Sequence, residues 1–250
     1  MNISLKGKIA VITGATGQLG RVMSRTLASC GADVAVCYNN NREMADRLLN
    51  EIKSMGCRAA AVQADITNEI SVNQMRDEIK AALGDADIVV NNAVIQYEWK
   101  SVLDQNPADF QSQFDSCVMQ NVFMAKAFLP AMMAKMSGRF IGINTECSAL
   151  CNANSGAYAS AKRGMDGLYR VLAKEAGAKG VTVNQVAPGW TISDKDREQH
   201  TEDAGYTASV PLMRRGTDQE IANVVLFLAS DLSSFVTGAC IPVSGGNVMI

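Results

Sequence analysis

This chain of 250 residues contains one histidine and no excess of basic over acidic residues. Its 23 lysines and arginines are mixed with 25 aspartates and glutamates, and the net charge is −2. The chain has no basic stripe of the kind that neutralises nucleic-acid phosphates, so we expect no nucleic-acid partner. The single histidine, His200, lies in a charged segment that we expect to be mobile, which argues against a Ser-His-Asp hydrolase.

Long apolar runs are absent as well. The first apolar stretch, residues 9–12, begins close to Met1 and leads into a glycine-rich turn, so we expect no signal peptide. No later run approaches the length that spans a bilayer. We therefore expect a soluble, cytoplasmic protein without a membrane partner.

The cysteines indicate neither disulfides nor a metal site. They number seven, which is odd, and most lie in apolar segments, as reduced thiols do. Cys147 and Cys151 form a Cys-x-x-x-Cys pair, but no second pair or histidine cluster is present to complete a zinc site. We expect packing roles for these thiols and no bound metal.

Short β-branched runs alternate with helical patterns along the chain. Strands are predicted over residues 8–13, 33–38, 58–63, 87–91, 139–145, 181–186 and 240–243. Apolar residues at three- and four-residue spacing predict helices between them, including one long helix over 107–136. Because the strands are apolar on both faces, the predicted fold class is α/β, a mostly parallel sheet flanked by helices on both faces.

The chain length fits one domain over residues 1–250, with no linker or internal repeat. The long polar interruption at about residues 190–212 is expected to be a mobile substrate lid.

A glycine-rich turn joins the first strand to the first helix. The sequence TGATGQLG places Gly14, Gly17 and Gly20 where glycines let the backbone approach a pyrophosphate at a helix N-terminus. A glycine turn can also serve packing alone. Its position at the start of a βαβ unit favours dinucleotide binding.

The end of the second strand bears on which dinucleotide binds. Selectivity for NAD usually requires a carboxylate there, but residues 37–41 read Cys-Tyr-Asn-Asn-Asn and are followed by Arg42. This uncharged tip with a nearby arginine favours NADP(H), with NAD(H) as the alternative. Arg42 is also typical of a solvated residue at a helix start.

Tyr158 and Lys162 are four residues apart in a predicted helix and therefore share one face. An ammonium beside a phenol favours the phenolate, so we expect the pKa of Tyr158 to be lowered toward the range of an acid/base catalyst. Taken alone, the pair is equally typical of a helix surface.

Seven segments occur together in one order along the chain. They are residues 13–20, Ala64-Asp65, Asn91-Asn92-Ala93, Asn121, Tyr158-x-x-x-Lys162, VNQVAPGW at 183–190 and ASDLSSFVTGACIPVSGG at 229–246. Over nearly its whole length the chain resembles the short-chain dehydrogenase/reductase family in its single-domain form. It is most similar to the 3-oxoacyl-carrier-protein reductase-like branch and its sugar and polyol dehydrogenase neighbours.

The resemblance implies an NAD(P)(H)-dependent oxidoreductase with a doubly wound Rossmann fold, sheet order 3-2-1-4-5-6-7 and a homotetrameric assembly. In such a site Tyr158 exchanges a proton with the substrate oxygen while nicotinamide exchanges a hydride, and Lys162 holds the nicotinamide ribose. Thr145 stands at the place of the family's serine, thirteen residues before the tyrosine, and Asn121 supports a water relay to the lysine.

The resemblance also implies a set of cofactor-binding positions. They are Gly14, Thr16, Gly17, Gln18, Leu19, Gly20, Asn39, Arg42, Asp65, Ile66, Asn92, Ala93, Tyr158, Lys162, Pro188, Gly189, Thr191 and Ser193. Three positions depart from the family pattern, with Gln18 and Val94 at usual glycines and Ser244 at a usual aspartate. With Thr145, these departures leave open an alternative, a dinucleotide-binding sensor or scaffold that has lost catalysis.

Four residues are expected to line the substrate pocket: Thr145, Cys147, Tyr97 and Trp190. Strand alternation puts Cys147 on the face of Thr145 and points Glu146 to the opposite face, unless the strand has already ended. We expect Glu146 to be a solvated or ion-paired residue, with an acid in the substrate pocket as the alternative. Tyr97, Trp99 and Trp190 follow strands four and six, where ligands bind in open sheets, although core or interface roles suit them equally.

The substrate itself is not specified by the sequence. Docking of an acyl carrier protein is disfavoured, because Met136 occupies a position that is often basic in such reductases and residues 194–205 are acidic. A small free hydroxy or keto compound is the alternative substrate.

Overall fold

Seven strands, all paired in parallel, form one sheet in the computed structural model of the chain. The structure describes residues 3–95, 97–192 and 204–249. The strands are β1 (Ile9–Ile12), β2 (Asp33–Tyr38), β3 (Ala59–Gln63), β4 (Ile88–Asn91), β5 (Gly138–Ile143), β6 (Val181–Pro188) and β7 (Cys240–Val243). Their order in the sheet is β3-β2-β1-β4-β5-β6-β7, which confirms the predicted fold class and strand order.

Helices connect the strands and cover both faces of the sheet. They are α1 (Gln18–Ser29), α2 (Arg42–Ser54), α3 (Glu69–Ala82), α4 (Pro107–Phe114), α5 (Gln120–Ala134), α6 (Cys147–Leu150), α7 (Gly156–Gly177), α8 (Ala204–Ser209) and α9 (Asp218–Ala229). A 3-10 turn follows at Asp231–Ser233. Several starts carry side-chain caps, such as the capping box of α9, in which Thr217 and Glu220 each accept a hydrogen bond from the other's backbone N–H.

Two apolar clusters fill the space between the sheet and its helices. Alternate residues of β1 divide between them, since Ile9 and Val11 pack with the side of α3, α5 and α7 while Ala10 and Ile12 pack with the side of α1 and α9. Every residue of β1 is buried. This double burial explains why the strands have no polar alternation in the sequence.

One long helical run extends from Pro107 to Ala134. Instead of the uninterrupted helix predicted over 107–136, a π-helical segment at Asp115–Met119 separates α4 from α5. The run of 28 residues is long and apolar enough to span a membrane, but 56% of its most apolar window is buried inside the protein. Met124 and Met132 of α5 lie fully buried in the core, as expected of an internal helix.

The loops that follow β1, β4, β5 and β6 meet at the carboxyl edge of the sheet. The chain reverses its direction of winding between β1 and β4, because β2 and β3 lie on one side of β1 and β5 to β7 lie on the other side of β4. In open parallel sheets ligands bind at the carboxyl ends of the strands beside such a switch point.

Candidate active site

The turn after β1 brings its backbone close to the start of α1. Gly14 adopts a left-handed conformation with φ of +60°, and a Cβ there would lie 3.0 Å from the Cα of Ala93. A Cβ on Gly20 would lie 2.2 Å from the carbonyl oxygen of Gly14, so no larger residue fits. These glycines therefore allow a contact that side chains would prevent.

The loop after β4 is tied to this turn by hydrogen bonds. The Thr13 hydroxyl accepts hydrogen bonds from the backbone N–H groups of Asn92 and Ala93 at 3.0 and 3.1 Å. The Asn92 side-chain amide donates to the carbonyls of Thr13 and Gly14 at 3.0 and 3.1 Å. Asn92 and Ala93, both predicted to bind cofactor, thus support the glycine turn.

The start of α1 suits a bound anion. Its N-cap, Gly17, offers no side-chain cap, and the first turn contains no acidic residue. The orphan N–H groups and the positive end of the helix dipole therefore face outward without a competing partner from the cap or first turn. The glycine cradle and this open helix end fit the pyrophosphate of a dinucleotide.

Gln18 stands where a glycine was expected and makes its own contacts. Its side-chain amide donates to the carbonyl of Ile192 at 2.7 Å and lies 3.5 Å from a carboxylate oxygen of Asp218. Gln18 therefore connects the glycine turn with the chain that follows β6 and with the start of α9. Nearby, the Thr16 carbonyl accepts a hydrogen bond from Arg21 at 3.1 Å.

A second cleft of about 510 Å³ lies at the end of β2 and β3, and Asn39, Arg42 and Asp65 line it. The Arg42 guanidinium donates to both carboxylate oxygens of Asp46 at 2.9 Å and to the Tyr38 hydroxyl at 3.3 Å. Arg42 is also the exposed first residue of α2, which confirms only the interpretation of a solvated residue at a helix start. The cleft suits the adenosine end of a dinucleotide.

The neighbouring predicted residues have mainly local partners. Asp65 accepts hydrogen bonds from the backbone and hydroxyl of Thr67 at 2.9 and 2.7 Å, and Ile66 is half-buried beside it. The carbonyl of Asn39 accepts a hydrogen bond from the Gln63 side chain at 2.7 Å.

The main cleft has a volume of about 790 Å³ and opens between the loops after β4, β5 and β6. It brings together most of the predicted catalytic and nicotinamide-end residues, and it also contains residues that the sequence did not single out. Its lining includes Leu19, Asn92, Val94, Trp99, Ile143, Asn144, Thr145, Glu146, Cys147, Leu150, Asn152, Tyr158, Lys162, Pro188, Gly189, Trp190, Thr191, Tyr206, Ser209 and Asn247.

Tyr158 and Lys162 lie on the same face of α7, as their spacing predicts. The Lys162 ammonium is buried, lies 5.7 Å from the centre of the Tyr158 ring and donates a hydrogen bond to the Ile143 carbonyl at 2.6 Å. Since the cleft reaches both side chains, the pair is not an ordinary helix-surface pair.

The expectation of a lowered pKa for Tyr158 is wrong for this structure. Burial raises the pKa of the phenol, the neighbouring thiols of Cys117 and Cys147 add to the rise, and a hydrogen bond with Thr145 opposes it. Burial also lowers the pKa of the Lys162 ammonium. Desolvation is the largest cause at both groups, and the phenol stays protonated at neutral pH.

Thr145 lies just beyond β5 and is buried. Its hydroxyl accepts a hydrogen bond from the backbone of Cys147 at 3.2 Å and lies near enough to the Tyr158 phenol to lower the pKa of that phenol. The extra methyl group of threonine has therefore not displaced the hydroxyl from the position where it meets the tyrosine.

Asn121 lies in the first turn of α5, directly after the π-helical segment. Its side-chain amide donates to the Cys117 carbonyl at 2.7 Å, and its oxygen accepts a hydrogen bond from the Tyr169 hydroxyl at 2.7 Å. Asn91 donates to the same hydroxyl at 2.9 Å. Tyr169 therefore joins α7 to the end of β4 and the start of α5 and holds Asn121 in place. No sequence motif indicated this residue.

The aromatic residues near Tyr158 have two roles, since one supports α7 and others line the main cleft. Tyr97 accepts a hydrogen bond from the backbone N–H of Tyr158 at 3.0 Å and stacks on Trp99 at a ring distance of 6.3 Å. Trp99 and Trp190 both line the main cleft. Tyr97, predicted to contact substrate, therefore supports the helix that carries Tyr158.

Strand alternation does not govern Cys147 and Glu146, because the strand ends before them, which is the exception stated above, and the buried Glu146 is neither solvated nor ion-paired among the described residues. Because β5 ends at Ile143, both residues lie in or beside α6, and both line the main cleft. Cys147 is half-buried near Thr145, as expected, whereas Glu146 does not turn away. Across the described ranges, no three His, Cys, Asp or Glu side chains gather as a metal site.

Part of the predicted site lies outside the described residues. Ser193, His200 and most of the acidic stretch of the expected lid fall within residues 193–203. Trp190 and Thr191 before this range, and Tyr206 after it, line the main cleft.

Known proteins resemble this chain over its full length. A family model described as Enoyl-(Acyl carrier protein) reductase matches residues 14–247. The 3-oxoacyl-[acyl-carrier-protein] reductase FabG of Salmonella typhimurium is 35% identical, covering 99% of this chain and 100% of the relative. The enzyme of the same name from Staphylococcus epidermidis is 33% identical, covering 97% and 99%.

Two solved structures share the fold closely. A 7 alpha-hydroxysteroid dehydrogenase complexed with NADH and 7-oxo glycochenodeoxycholic acid has a TM-score of 0.91 at 33% identity, covering 100% of this chain and 97% of its own. A putative gluconate dehydrogenase from Agrobacterium tumefaciens has a TM-score of 0.93 at 28% identity, covering 100% and 99%. The chain belongs to the short-chain dehydrogenase/reductase family and is an NAD(P)-dependent oxidoreductase that acts on a carbonyl or alcohol group.

Proposed function

We propose that this protein is an NADP(H)-dependent reductase of a small ketone, or the dehydrogenase of the corresponding secondary alcohol, with Tyr158 as general acid and base. One observation carries the proposal. A single cleft connects Leu19, beside the glycine turn, with the Tyr158 hydroxyl, the Thr145 hydroxyl and the buried Lys162 ammonium.

The nicotinamide, when bound, supplies or accepts the hydride. The chain's own residues position the substrate and move the proton. In the reducing direction, the hydroxyls of Thr145 and Tyr158 hydrogen-bond the substrate carbonyl oxygen, and the Tyr158 phenol gives its proton to that oxygen as negative charge develops there. Because burial raises the pKa of the phenol, Tyr158 holds this proton at neutral pH.

Lys162 and Asn121 would support this proton transfer. The Lys162 ammonium stabilises the phenolate that forms when Tyr158 gives up its proton, and it would also hold the nicotinamide ribose. Asn121, buried and held by Cys117 and Tyr169, would support a water relay that returns a proton to the site. In the oxidising direction, the same groups act in reverse order.

The remaining cofactor contacts follow from the position of the residues along the two clefts. Gly14, Gly17 and Gly20 would admit the pyrophosphate to the start of α1, with Thr16 and Gln18 in the same turn. Asn92 and Ala93 border the turn, while Pro188, Gly189 and Thr191 would face the nicotinamide. Asp65 and Ile66 would lie beside the adenine.

NADP(H) is the preferred dinucleotide in this proposal. Asn39 and Arg42 line the cleft at the end of β2, where Tyr38 to Asn41 contain no carboxylate, although Asp65 and Glu78 line other parts of the same cleft. The Arg42 guanidinium is exposed, and a 2′-phosphate would share it with Asp46, which already orders the side chain. NAD(H), which the related hydroxysteroid dehydrogenase binds as NADH, is the alternative.

A small free substrate is favoured over an acyl carrier protein. The relatives named 3-oxoacyl-[acyl-carrier-protein] reductase act on a protein-bound acyl chain. In this chain the exposed residue two positions before Gly138 is Met136, which carries no charge. Arg139 is itself paired with Asp231. This position therefore offers little positive charge to bind an acidic partner protein.

We further propose a single cytoplasmic domain over residues 1–250 that assembles as a homotetramer, with a substrate lid at about 190–212. Large apolar side chains are exposed on α4, on α7 and beside β7: Phe114, Val171, Phe235 and Met249. Exposed apolar residues of this size favour contact with other copies of the chain. Light scattering of the purified protein measures the assembly directly.

The experiment that tests the proposal is a screen for turnover. NADPH and NADH are titrated into the purified protein, and a panel of ketones and secondary alcohols is then followed by the absorbance of the reduced dinucleotide. We expect dinucleotide binding and turnover of at least one neutral ketone. Binding without turnover across the panel would favour the alternative, a dinucleotide-binding sensor or scaffold.

A further inference from the structure

A buried carboxylate forms part of the wall of the main cleft. Glu146 is 5% exposed, follows Thr145 directly and has a side chain held by neutral donors. One of its oxygens accepts hydrogen bonds from the Trp190 backbone N–H at 3.2 Å and from the Tyr206 hydroxyl at 2.9 Å. The other accepts from the Asn247 side-chain amide at 3.0 Å. We call these four residues the Glu146 cluster.

Three separate segments of the chain build this cluster. Trp190 follows β6, Tyr206 lies in α8, and Asn247 follows β7, so their convergence on one carboxylate is not a local turn motif. Gly189 leaves the space that they use, because a Cβ there would lie 2.6 Å from the Tyr206 hydroxyl and 3.0 Å from Glu146. The carboxylate is therefore held in a fixed position.

The charge of Glu146 has no cationic partner among the described residues. Its three donors are neutral, and the described residue with a positive charge that lines the same cleft, Lys162, gives its hydrogen bond to Ile143. Buried carboxylates are normally paired with a cation, and each accepts about four hydrogen bonds. The three donors among the described residues leave capacity for one more hydrogen bond from a ligand in the cleft.

Two indole rings line the same cleft as Glu146. Trp99 and Trp190 line the cleft and are about half exposed, at 48% and 47%. Trp190 is fixed by the Arg215 guanidinium at 4.3 Å from its ring and by the edge of Tyr206 at 5.4 Å. Flat apolar walls of this kind suit the face of a carbon ring, while polar groups fix its orientation.

We propose that Glu146 selects substrates that carry a hydroxyl group away from the reacting carbon, on a ring or short carbon skeleton, and rejects substrates that carry an anion at that end. The hydroxyl donates to the free acceptor position of Glu146 while the carbonyl lies at Tyr158 and Thr145. This inference rests on the proposed function and adds to it a substrate class, neutral hydroxylated ketones and their alcohols.

Three matched ketones test the inference: 4-hydroxycyclohexanone, 4-methylcyclohexanone and 4-oxocyclohexanecarboxylate. They differ only in whether a donor, an apolar group or an anion stands opposite the carbonyl. In the native protein we expect kcat/KM for the hydroxy ketone to exceed that for the carboxylate by at least about tenfold, with the methyl compound between them. A native protein that uses the carboxylate as well as the hydroxy ketone would overturn the inference without any variant.

The variant Glu146→Gln keeps the size of the side chain and removes its charge. We expect the ratio between hydroxy ketone and carboxylate to fall to within about threefold, mainly through a lower KM for the carboxylate. The matched control is Glu175→Gln, an exposed carboxylate near the end of α7, which should leave the ratio unchanged. An unchanged ratio in Glu146→Gln would exclude Glu146 as the selecting residue.

A binding measurement separates failure of this inference from failure of the proposed function. Both tryptophans of the chain, Trp99 and Trp190, line the cleft, so their fluorescence reports ligand binding without turnover. Tighter binding of the hydroxy ketone than of the carboxylate, lost in Glu146→Gln, would support the selection even if no ketone were reduced. Equal binding of the two ligands by the native protein would overturn it even if both were reduced.

Discussion

The buried Lys162 ammonium lies 5.7 Å from the centre of the Tyr158 ring, and it is held there by a hydrogen bond of 2.6 Å to the Ile143 carbonyl. The Ile143 carbonyl therefore fixes the position of the lysine beside the tyrosine, and no residue at the protein surface is required to orient it. Burial acts on both groups in the direction of their neutral forms, raising the pKa of the phenol and lowering the pKa of the ammonium. The pair is arranged to keep a proton on Tyr158 until a substrate oxygen takes it.

The pH dependence of the two reaction directions should differ. Since burial raises the pKa of Tyr158, the phenol is protonated through the neutral range, so ketone reduction should stay level from about pH 6 to 8. Alcohol oxidation needs the phenolate and should rise with pH over the same range. Steady-state kcat/KM profiles in both directions, with folding followed by circular dichroism, test this. Oxidation that is already level between pH 6 and 8, or reduction that falls over this range, would contradict a raised pKa.

Thr145→Ala should lower kcat by about 10²-fold to 10³-fold, because it removes a hydroxyl that lies beside the Tyr158 phenol and would donate to the substrate carbonyl. Thr145→Ser is the matched control, since it keeps the hydroxyl and removes only the methyl group. Serine should retain turnover within a few-fold of the native chain. If alanine and serine were equally active, the hydroxyl would have no role in catalysis.

Gly20→Ala should lose the cofactor site. The new Cβ would lie 2.2 Å from the Gly14 carbonyl oxygen and 2.7 Å from the Ala15 Cα, and these backbone atoms cannot rotate away. We expect a loss of about 1 to 3 kcal/mol in the free energy of unfolding and at least tenfold weaker NADPH binding. Denaturant titration and fluorescence titration measure the two effects.

Gly167→Ala provides the control for that substitution. Gly167 lies in α7 with no atom within 4 Å of the position a Cβ would take, so alanine should be neutral or stabilise the helix by about 0.5 to 1 kcal/mol. Native-like NADPH affinity in Gly20→Ala would show that the turn is not the pyrophosphate site.

Arg42→Ala should weaken NADPH binding by about five- to tenfold and leave NADH binding within about twofold, because only NADPH carries the 2′-phosphate. Arg47→Ala is the matched control, since Arg47 is also exposed on α2 and paired one turn away, with Glu43. Fluorescence titration of both dinucleotides gives the four affinities. Equal weakening of NADPH and NADH, or tighter NADH binding by the native chain, would refute the assignment of the β2 end.

The sequence predicts the sheet well because its strands are buried on both faces. The segments 33–38 and 240–243 match β2 and β7 residue for residue. The glycine turn and the Tyr158 to Lys162 spacing were equally accessible, since each depends on residues close together in the chain. The end of β5 was not, because the strand stops at Ile143 where the chain turns into α6, a feature without a strong sequence signal.

Long-range contacts account for what the sequence did not reveal. Glu146 meets donors from residues 190, 206 and 247, and Asn121 meets Tyr169 across 48 positions of the chain. No local pattern indicates such pairs. The pKa of Tyr158 was mispredicted for a related reason, since spacing places the lysine nearby but does not show how deeply both side chains are buried.

The proposed function depends on proton transfer by the Tyr158 hydroxyl, and the variant Tyr158→Phe removes that group alone. The measurement is the single-turnover rate of NADPH oxidation with a ketone that the native chain reduces, alongside the NADPH dissociation constant of both proteins. Loss of the acid should lower the rate by about 10²-fold to 10⁴-fold while NADPH affinity stays within about twofold. A Tyr158→Phe protein that reduces the ketone within a few-fold of the native rate would contradict the account.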